Sequence, residues 1–302
     1  MINRILLVLV CILSFMLLLI KSSNENTTFF SNEIKIKIKD KNTNQVTEMS
    51  LEEYVIGVVA GEMPASFHEE ALKAQAVAAR TYALYKIENT QKKYHVFNDV
   101  SDQSYITEDD MQTKWKNDFN KYYNKIKEAV GDTSGVVMSY NNKIIESLYF
   151  SMSNGYTENA GLVFSEDKAY LQSVKSEYEN SNLKNYEVTK TIDKKELCKK
   201  IVINCEKILI DGIELSASGR VNYITINNKK IKGTDFRKLL GLRSTDFTIK
   251  LNKDTVDITT RGYGHGVGMS QHGANEMSKN GFKYEEILNY FYQNIEIGLL
   301  WV

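Results

Sequence analysis

The chain opens on an unbroken apolar run, Ile5 to Ile20, bracketed by Arg4 and Lys21 and interrupted only by Ser14. As a helix these sixteen residues reach about 24 Å, and snorkelling of the flanking Arg4 and Lys21 extends that toward a hydrocarbon core of roughly 30 Å. Lys21-Ser22-Ser23-Asn24 offers no small-residue cleavage site, so the pattern predicts an uncleaved signal-anchor over 1–21. Positive charge at the extreme N-terminus keeps that end inside the cell and places everything after Lys21 outside the membrane. Residues 22–32 are polar and read as a short tether.

Beyond the tether the period changes. Ile34, Ile36 and Ile38 alternate with Lys35, Lys37 and Lys39, the pattern of a half-buried strand, and a second short strand follows at 46–49. Ser50 with Glu53 forms a capping box in front of a helical stripe of Leu51, Tyr54, Val55, Val58 and Val59. That helix ends near Gly61, because Pro64 pushes Met63 out of α space. Ser66 with Glu69 predicts a second capping box and an Ala-rich helix over about 68–88. Thr107 with Asp110 starts a third, with a stripe of Met111, Trp115, Phe119, Tyr122, Ile126 and Val130. A hairpin over 135–150 turns at Asn141-Asn142 and delivers a polar loop over 151–159. Asp193 and Glu196 begin another helix, and further helices are expected at 234–241 and 284–292 around a strand at 246–251. Helices and short strands alternate without a βαβ rhythm, so the fold class is α+β, with short antiparallel strands. The region from 33 to 302 is treated as one extracytoplasmic domain.

Composition narrows the function. With 38 Lys+Arg against 38 Asp+Glu the 302-residue chain has no net charge, which removes the usual argument for nucleic acid. Eighteen tyrosines supply amphipathic faces able to stack on sugar rings or fill a core. Three cysteines are too few for a disulfide scaffold or a Cys-rich zinc module. Cys198 and Cys205 fall where a disulfide is permitted, but on one helix their Cα atoms would be about 10 Å apart, so they read as two small buried hydrophobes.

Three places carry candidate chemistry. Glu62 sits at a tight junction between an apolar helix and Pro64, flanked by Gly61 and Met63, where burial would hold its carboxyl protonated as a general acid requires. Arg80 lies among Ala76, Val77, Ala79, Ala83 and Leu84, so its planar fork is expected to meet a specific partner, either a substrate carboxylate or Glu62. The stretch from Arg261 to Ala274 packs five glycines into fourteen residues around Tyr263, His265, Ser270, Gln271 and His272. It lacks the Gly-Lys-Ser/Thr ending of a phosphate cradle, and its two histidines lack zincin spacing.

The segments 54–65 and 70–82, together with Ser151-x-Ser153-Asn154-Gly155-x-Thr157-Glu158-Asn159, Gly233-Thr234-Asp235-Phe236-Arg237 and 261–271, closely resemble the stage II sporulation protein D family. The resemblance runs in order through 51–274, and an N-terminal anchor also matches. It implies a lytic transglycosylase that cuts peptidoglycan glycan strands while the forespore is engulfed. The implied partners are the amidase stage II sporulation protein P and the membrane protein stage II sporulation protein M, and the implied location is the mother-cell membrane facing the forespore. The Glu of Glu62-Met63-Pro64 would be the catalytic acid and base, and the Arg at position 80 is also needed in that family. No organic cofactor is implied. Some members hold zinc through Cys and His before a Gln-x-Tyr, whereas here the segment 95–105 offers only His95, so no metal is expected.

In the implied reaction one carboxyl suffices, and 1,6-anhydro-MurNAc ends result. Arg80 and Lys73 would read the lactyl carboxylate of peptide-free MurNAc. Tyr263 would stack on a sugar face, and Ser151, Ser153, Thr157, Glu158, His265, Gln271 and His272 would bind hydroxyls and N-acetyl groups. Glu158, Asp99 and Asp102 are rival second carboxylates for a hydrolase. Relatives named as amidase enhancers share the motifs, so the alternative is a glycan-binding activator of a partner N-acetylmuramoyl-L-alanine amidase with no chemistry of its own.

Overall fold

The computed structural model describes residues 34–164, 166–179 and 182–300; the expected anchor and tether lie outside the described residues. Among the described residues no helix is long and apolar enough to cross a membrane. The fold is mixed α and β with short strands in small sheets, and its residues divide into two compact units. The first comprises 34–66, 76–146 and 297–300; the second comprises 67–75 and 147–296.

In the first unit the alternation of isoleucine and lysine gives β1 (Lys35–Lys39), whose Ile36 and Ile38 are buried while the lysines face out. It pairs antiparallel with β2 (Val46–Ser50). Ser50 closes β2 and caps α1 (Leu51–Glu62), with the reciprocal Glu53 bond of a capping box. The helix stops because Met63 is extended at ψ 139 ahead of Pro64. The Ala-rich α2 (Glu69–Asn89) follows, its residues shared between the two units at Gln75 and Ala76. It starts one residue later than expected, so Ser66 is not its cap; the His68 imidazole accepts the Glu70 N–H instead, at 3.4 Å. The short β3 (Val96–Phe97) lies parallel to β1, contrary to the all-antiparallel expectation.

Thr107 and Asp110 cap α3 (Glu108–Trp115) as expected, but the long stripe is not one helix. Lys116 takes φ 49 and a 3₁₀ turn intervenes before α4 (Phe119–Asp132). Of the stripe, Met111, Ile126 and Val130 are buried and the aromatics are half-buried. The hairpin of β4 (Val136–Tyr140) and β5 (Lys143–Ile144) turns through left-handed Asn141 and Asn142.

The second unit, which includes the start of α2, continues with β6 (Tyr149–Phe150), which the hairpin expectation misassigned. After the polar loop come α5 (Ala160–Phe164), β7 (Glu187–Asp193) and α6 (Lys194–Ile201), the last capped by Asp193 on the Lys195 and Glu196 N–H groups. Then follow β8 (Ile210–Leu215), β9 (Val221–Ile226), β10 (Lys229–Lys232), α7 (Gly233–Leu240), β11 (Phe247–Leu251) and β12 (Thr255–Arg261). These form two three-stranded sheets, β10-β9-β8 and β11-β12-β7. One apolar cluster that includes Ile192, Leu197, Ile224, Phe236, Phe247 and Ile258 joins them to α6 and α7. Then come β13 (Met269–Ser270), α8 (Gln271–Lys279) and α9 (Tyr284–Phe291), and β14 (Glu296–Leu299) returns to the first unit, where it joins the sheet of β4 and β5. Strand β13 pairs parallel with β6, a second departure from an all-antiparallel arrangement.

The cysteine expectation is overturned. Val202 takes a left-handed φ of 56 at the end of α6, so Cys205 leaves the helix and doubles back. Its Cα lies 5.6 Å from that of Cys198, and the two sulfurs are bonded.

Candidate active site

Glu62 is the last residue of α1 and is half-buried. Its Oε1 accepts the backbone N–H of Ser104 at 2.6 Å. The carbonyl pole of α1 has no basic residue in its own last turn. Cations come from elsewhere: Lys114 Nζ donates to the carbonyl of Ala60 at 2.9 Å, and Lys125 Nζ to that of Ala65 at 3.2 Å. Two ammonium groups thus bind the backbone on either side of Glu62, and burial pulls the Lys114 pKa down. Sequence reading missed both lysines, since each reaches its carbonyl from a separate helix.

Arg80 is wholly buried. Its Nε and Nη2 hold Glu52 in a fork at 2.8 and 2.7 Å, and Nη1 and Nη2 also donate to the carbonyls of Val136 and Val130. A guanidinium committed in this way ties α2 to α1 and to the end of α4. Of the two partners expected for its fork, the intramolecular one is a carboxylate, but it is Glu52 and not Glu62. Glu52 lies in the first turn of α1, where a sequence reading takes an acidic residue for a surface complement to the helix dipole.

The remaining candidates belong to the second unit, and the fold gathers them in two places. At the start of α2, Lys73 pairs with Glu70 at 3.6 Å, and Glu70 also accepts the Tyr284 N–H at 2.9 Å. Gln271 Nε2 donates to Gln75 at 3.2 Å, and the His272 ring meets the edge of Phe67 with centroids 5.0 Å apart. Burial lowers the His272 pKa. The His272 N–H donates to the carbonyl of Ser151 at 3.0 Å.

The second place is the polar loop against the glycine-rich stretch. Tyr263 and Met152 exchange backbone bonds of 2.7 and 3.0 Å, and the Glu158 N–H donates to the carbonyl of Gly266 at 2.7 Å. Gly266 permits this at φ +88: a Cβ there would stand 2.8 Å from the Arg220 guanidinium. Ser153 is buried, its hydroxyl donating to Glu179 at 2.5 Å. Buried Thr157 accepts the Val174 N–H at 2.8 Å. Glu158, 3% exposed, accepts the hydroxyls of Ser216 and Ser218 at 2.5 and 2.7 Å, with the Arg220 charge beside it. His265 accepts the Val267 N–H on Nδ1 at 3.0 Å and sits between Phe150 and Phe164. Burial and the nearby arginines drop its pKa to about 3, so the imidazole is neutral. Ser153, Thr157, Glu158 and His265 are therefore bonded into the fold. Tyr263 differs, being 44% exposed with the Arg243 guanidinium 3.9 Å from its ring centre.

Sequence reading also missed Glu179, which accepts from Ser153 and Ser176 and whose pKa burial raises. Among the described residues no three His, Cys, Asp or Glu side chains gather as a metal site needs.

A family model for stage II sporulation protein matches residues 39–140. The chain is 40% identical over 288 residues to stage II sporulation protein D of Bacillus subtilis, covering 90% of this chain and 81% of that protein. Identity to the protein of the same name in Bacillus amyloliquefaciens is 39%, covering 90% and 80%. The amidase enhancer of Bacillus subtilis is 27% identical, covering 78% of this chain and 39% of its own length.

Proposed function

Since the chain belongs to the stage II sporulation protein D family, we propose that it acts in sporulation as a peptidoglycan lytic transglycosylase with Glu62 as its single acid and base. What supports this reading is the setting of the carboxyl: partly open, at a helix end, with one oxygen oriented by the Ser104 N–H and ammonium groups on both flanks. The rival carboxylates are engaged. Asp102 accepts from Tyr82 and the Phe97 N–H and pairs with Lys86; Asp99 pairs with Lys41; Glu158 is held by two serines. A hydrolase needs a second carboxylate free to activate water, whereas a lytic transglycosylase does not.

Protonated Glu62 gives its proton to the glycosidic oxygen between MurNAc and GlcNAc as the C1–O bond breaks. The resulting carboxylate takes the proton of the MurNAc C6 hydroxyl, whose oxygen closes on C1. An anhydro end forms, no water is consumed, and Glu62 is again protonated. Lys114 and Lys125, which bond the backbone on either side of Glu62, add positive charge that favours the lactyl carboxylate of a peptide-free strand. Tyr263 offers an exposed ring for a sugar face. The enzyme is held at the mother-cell membrane by residues 1–21 and works with stage II sporulation proteins P and M.

The full chain, incubated alone with peptide-free glycan strands, should yield 1,6-anhydro ends by mass spectrometry, and Glu62→Gln should lower that yield by about 10²–10⁴-fold. Ordinary reducing ends would mean hydrolysis. The likeness to an amidase enhancer supports a second reading: no cleavage alone, but faster amidase turnover on addition, would establish an activator.

A further inference from the structure

The Ser104 N–H reaches Glu62 because the segment 102–106 is fastened to α2 and β3 at Asp102 and to α1 by the residues after it. Asp102 takes the Tyr82 hydroxyl, the Phe97 N–H and the Lys86 ammonium. Gln103, 1% exposed, accepts the Tyr54 hydroxyl at 3.0 Å and donates to the carbonyl of Ala79 at 3.4 Å. Tyr105 stacks on Tyr54, with ring centroids 5.7 Å apart and planes 8° from parallel. The Ile106 N–H donates to the carbonyl of Gly57 at 3.3 Å. Between these anchors Ser104 presents its N–H to the carboxylate.

Two glycines one helical turn apart make room. A Cβ on Gly61 would collide with the Ser104 carbonyl oxygen, and one on Gly57 would collide with the Tyr105 ring and stand 2.9 Å from the Ile106 carbonyl oxygen. Glycine inside a helix costs about 1 kcal/mol relative to alanine, so both are unfavourable for α1 itself. Gly131 on α4 is different, since a Cβ there would meet nothing within 4 Å.

We propose that residues 102–106 form a strap that orients Glu62 through the Ser104 N–H, with Gly57, Gly61, Gln103 and Tyr105 as positioning residues for the acid. The inference rests on Glu62 being the acid, but its geometry can be tested apart from any activity. Removing the N–H donor takes away a bond that favours the charged carboxylate, so the carboxylate's titration must move to higher pH. Displacement by about 1 Å is enough to slow a reaction roughly 10²-fold.

The test uses the full chain and its Gly61→Ala, Gly57→Ala, Tyr105→Ala, Tyr105→Phe and Gly131→Ala variants. The Glu62 carboxyl is followed by carbon NMR, assigned by its loss in Glu62→Gln, and cleavage is followed on peptide-free strands. Gly61→Ala, Gly57→Ala and Tyr105→Ala should titrate at higher pH and lose turnover with little change in KM. Tyr105→Phe, which keeps the stacking ring, should recover both, and Gly131→Ala should match wild type. Thermal melts identify any variant that has failed to fold, and Tyr105→Phe against Tyr105→Ala then carries the comparison. An unchanged titration in folded Gly61→Ala and Tyr105→Ala overturns the strap. A shifted titration with no anhydro product from wild type leaves the strap standing and overturns the transglycosylase reading.

Discussion

Two glutamates, one in each compact unit, show how the same side chain is put to different use. Glu62 ends a helix, keeps part of its surface open and receives a backbone N–H on one oxygen. Glu158 is nearly closed to solvent, and its oxygens are taken by Ser216, Ser218 and its neighbour's N–H. Both stand in motif-like stretches of sequence, yet the first is half-buried and the second is closed off. Arg80 and His265 extend the lesson. Each is a group with obvious chemistry, and each is committed to its own unit, by a carboxylate fork in one case and aromatic enclosure in the other. Polar residues dense in sequence are therefore a sign of demanding local geometry as much as of a reaction centre.

The largest expected effect tests the open side of this contrast. Glu62→Gln should cut cleavage by about 10²–10⁴-fold, the usual worth of a general acid, while leaving the unfolding midpoint close to wild type. Next comes Arg80→Met, which strands Glu52 in the interior and should cost about 3–5 kcal/mol in urea unfolding. A lysine there should recover little, because it lacks the fork. If Arg80→Met left stability intact and abolished glycan binding, Arg80 would return to the substrate side.

The third prediction concerns pH. His265 is neutral in the folded state, with a pKa of about 3, while the unfolded chain protonates it near 6.5. Its depressed value makes the unfolded state the better proton binder, so its contribution is complete above about pH 6.5 and declines as pH falls toward 3. Between about pH 6.5 and 5 roughly 2 kcal/mol should be lost, and His265→Asn should flatten that decline in denaturant titrations. The smallest effect is expected for Glu158→Gln. It should lower stability by about 1 kcal/mol, because the amide oxygen still accepts a serine hydroxyl, and leave chemistry in the folded fraction unchanged. A loss of turnover at unchanged stability would make Glu158 the second carboxylate and the enzyme a hydrolase.

Local rules carried much of the fold. The capping boxes at Ser50 and Thr107, the Asp193 cap, the stop before Pro64 and the Asn141-Asn142 turn were all legible, because each is decided within a few residues. The break at Lys116 was not, since the apolar stripe continues through it on both sides. Parallel pairing of β6 with β13 joins residues about 120 apart in the chain, and periodicity holds no record of such a partner. The site divided in the same way. Glu62 was marked by its junction with Pro64, whereas Glu52, Ser104, Lys114 and Lys125 act on groups far along the sequence, and Ser104 does so through a backbone N–H that every residue type except proline carries.

The bond between Cys198 and Cys205 has a consequence for how the protein is made. A crosslink between positions seven apart closes so small a ring that it withdraws only about 2.5 kcal/mol of freedom from the unfolded chain. The apolar cluster under α6 and α7 supplies the bulk of what holds that region together. Ribosome-fresh chains should consequently acquire their shape without waiting for an oxidant, so material from a reducing host is expected to be usable, with the sulfur link added afterwards by air.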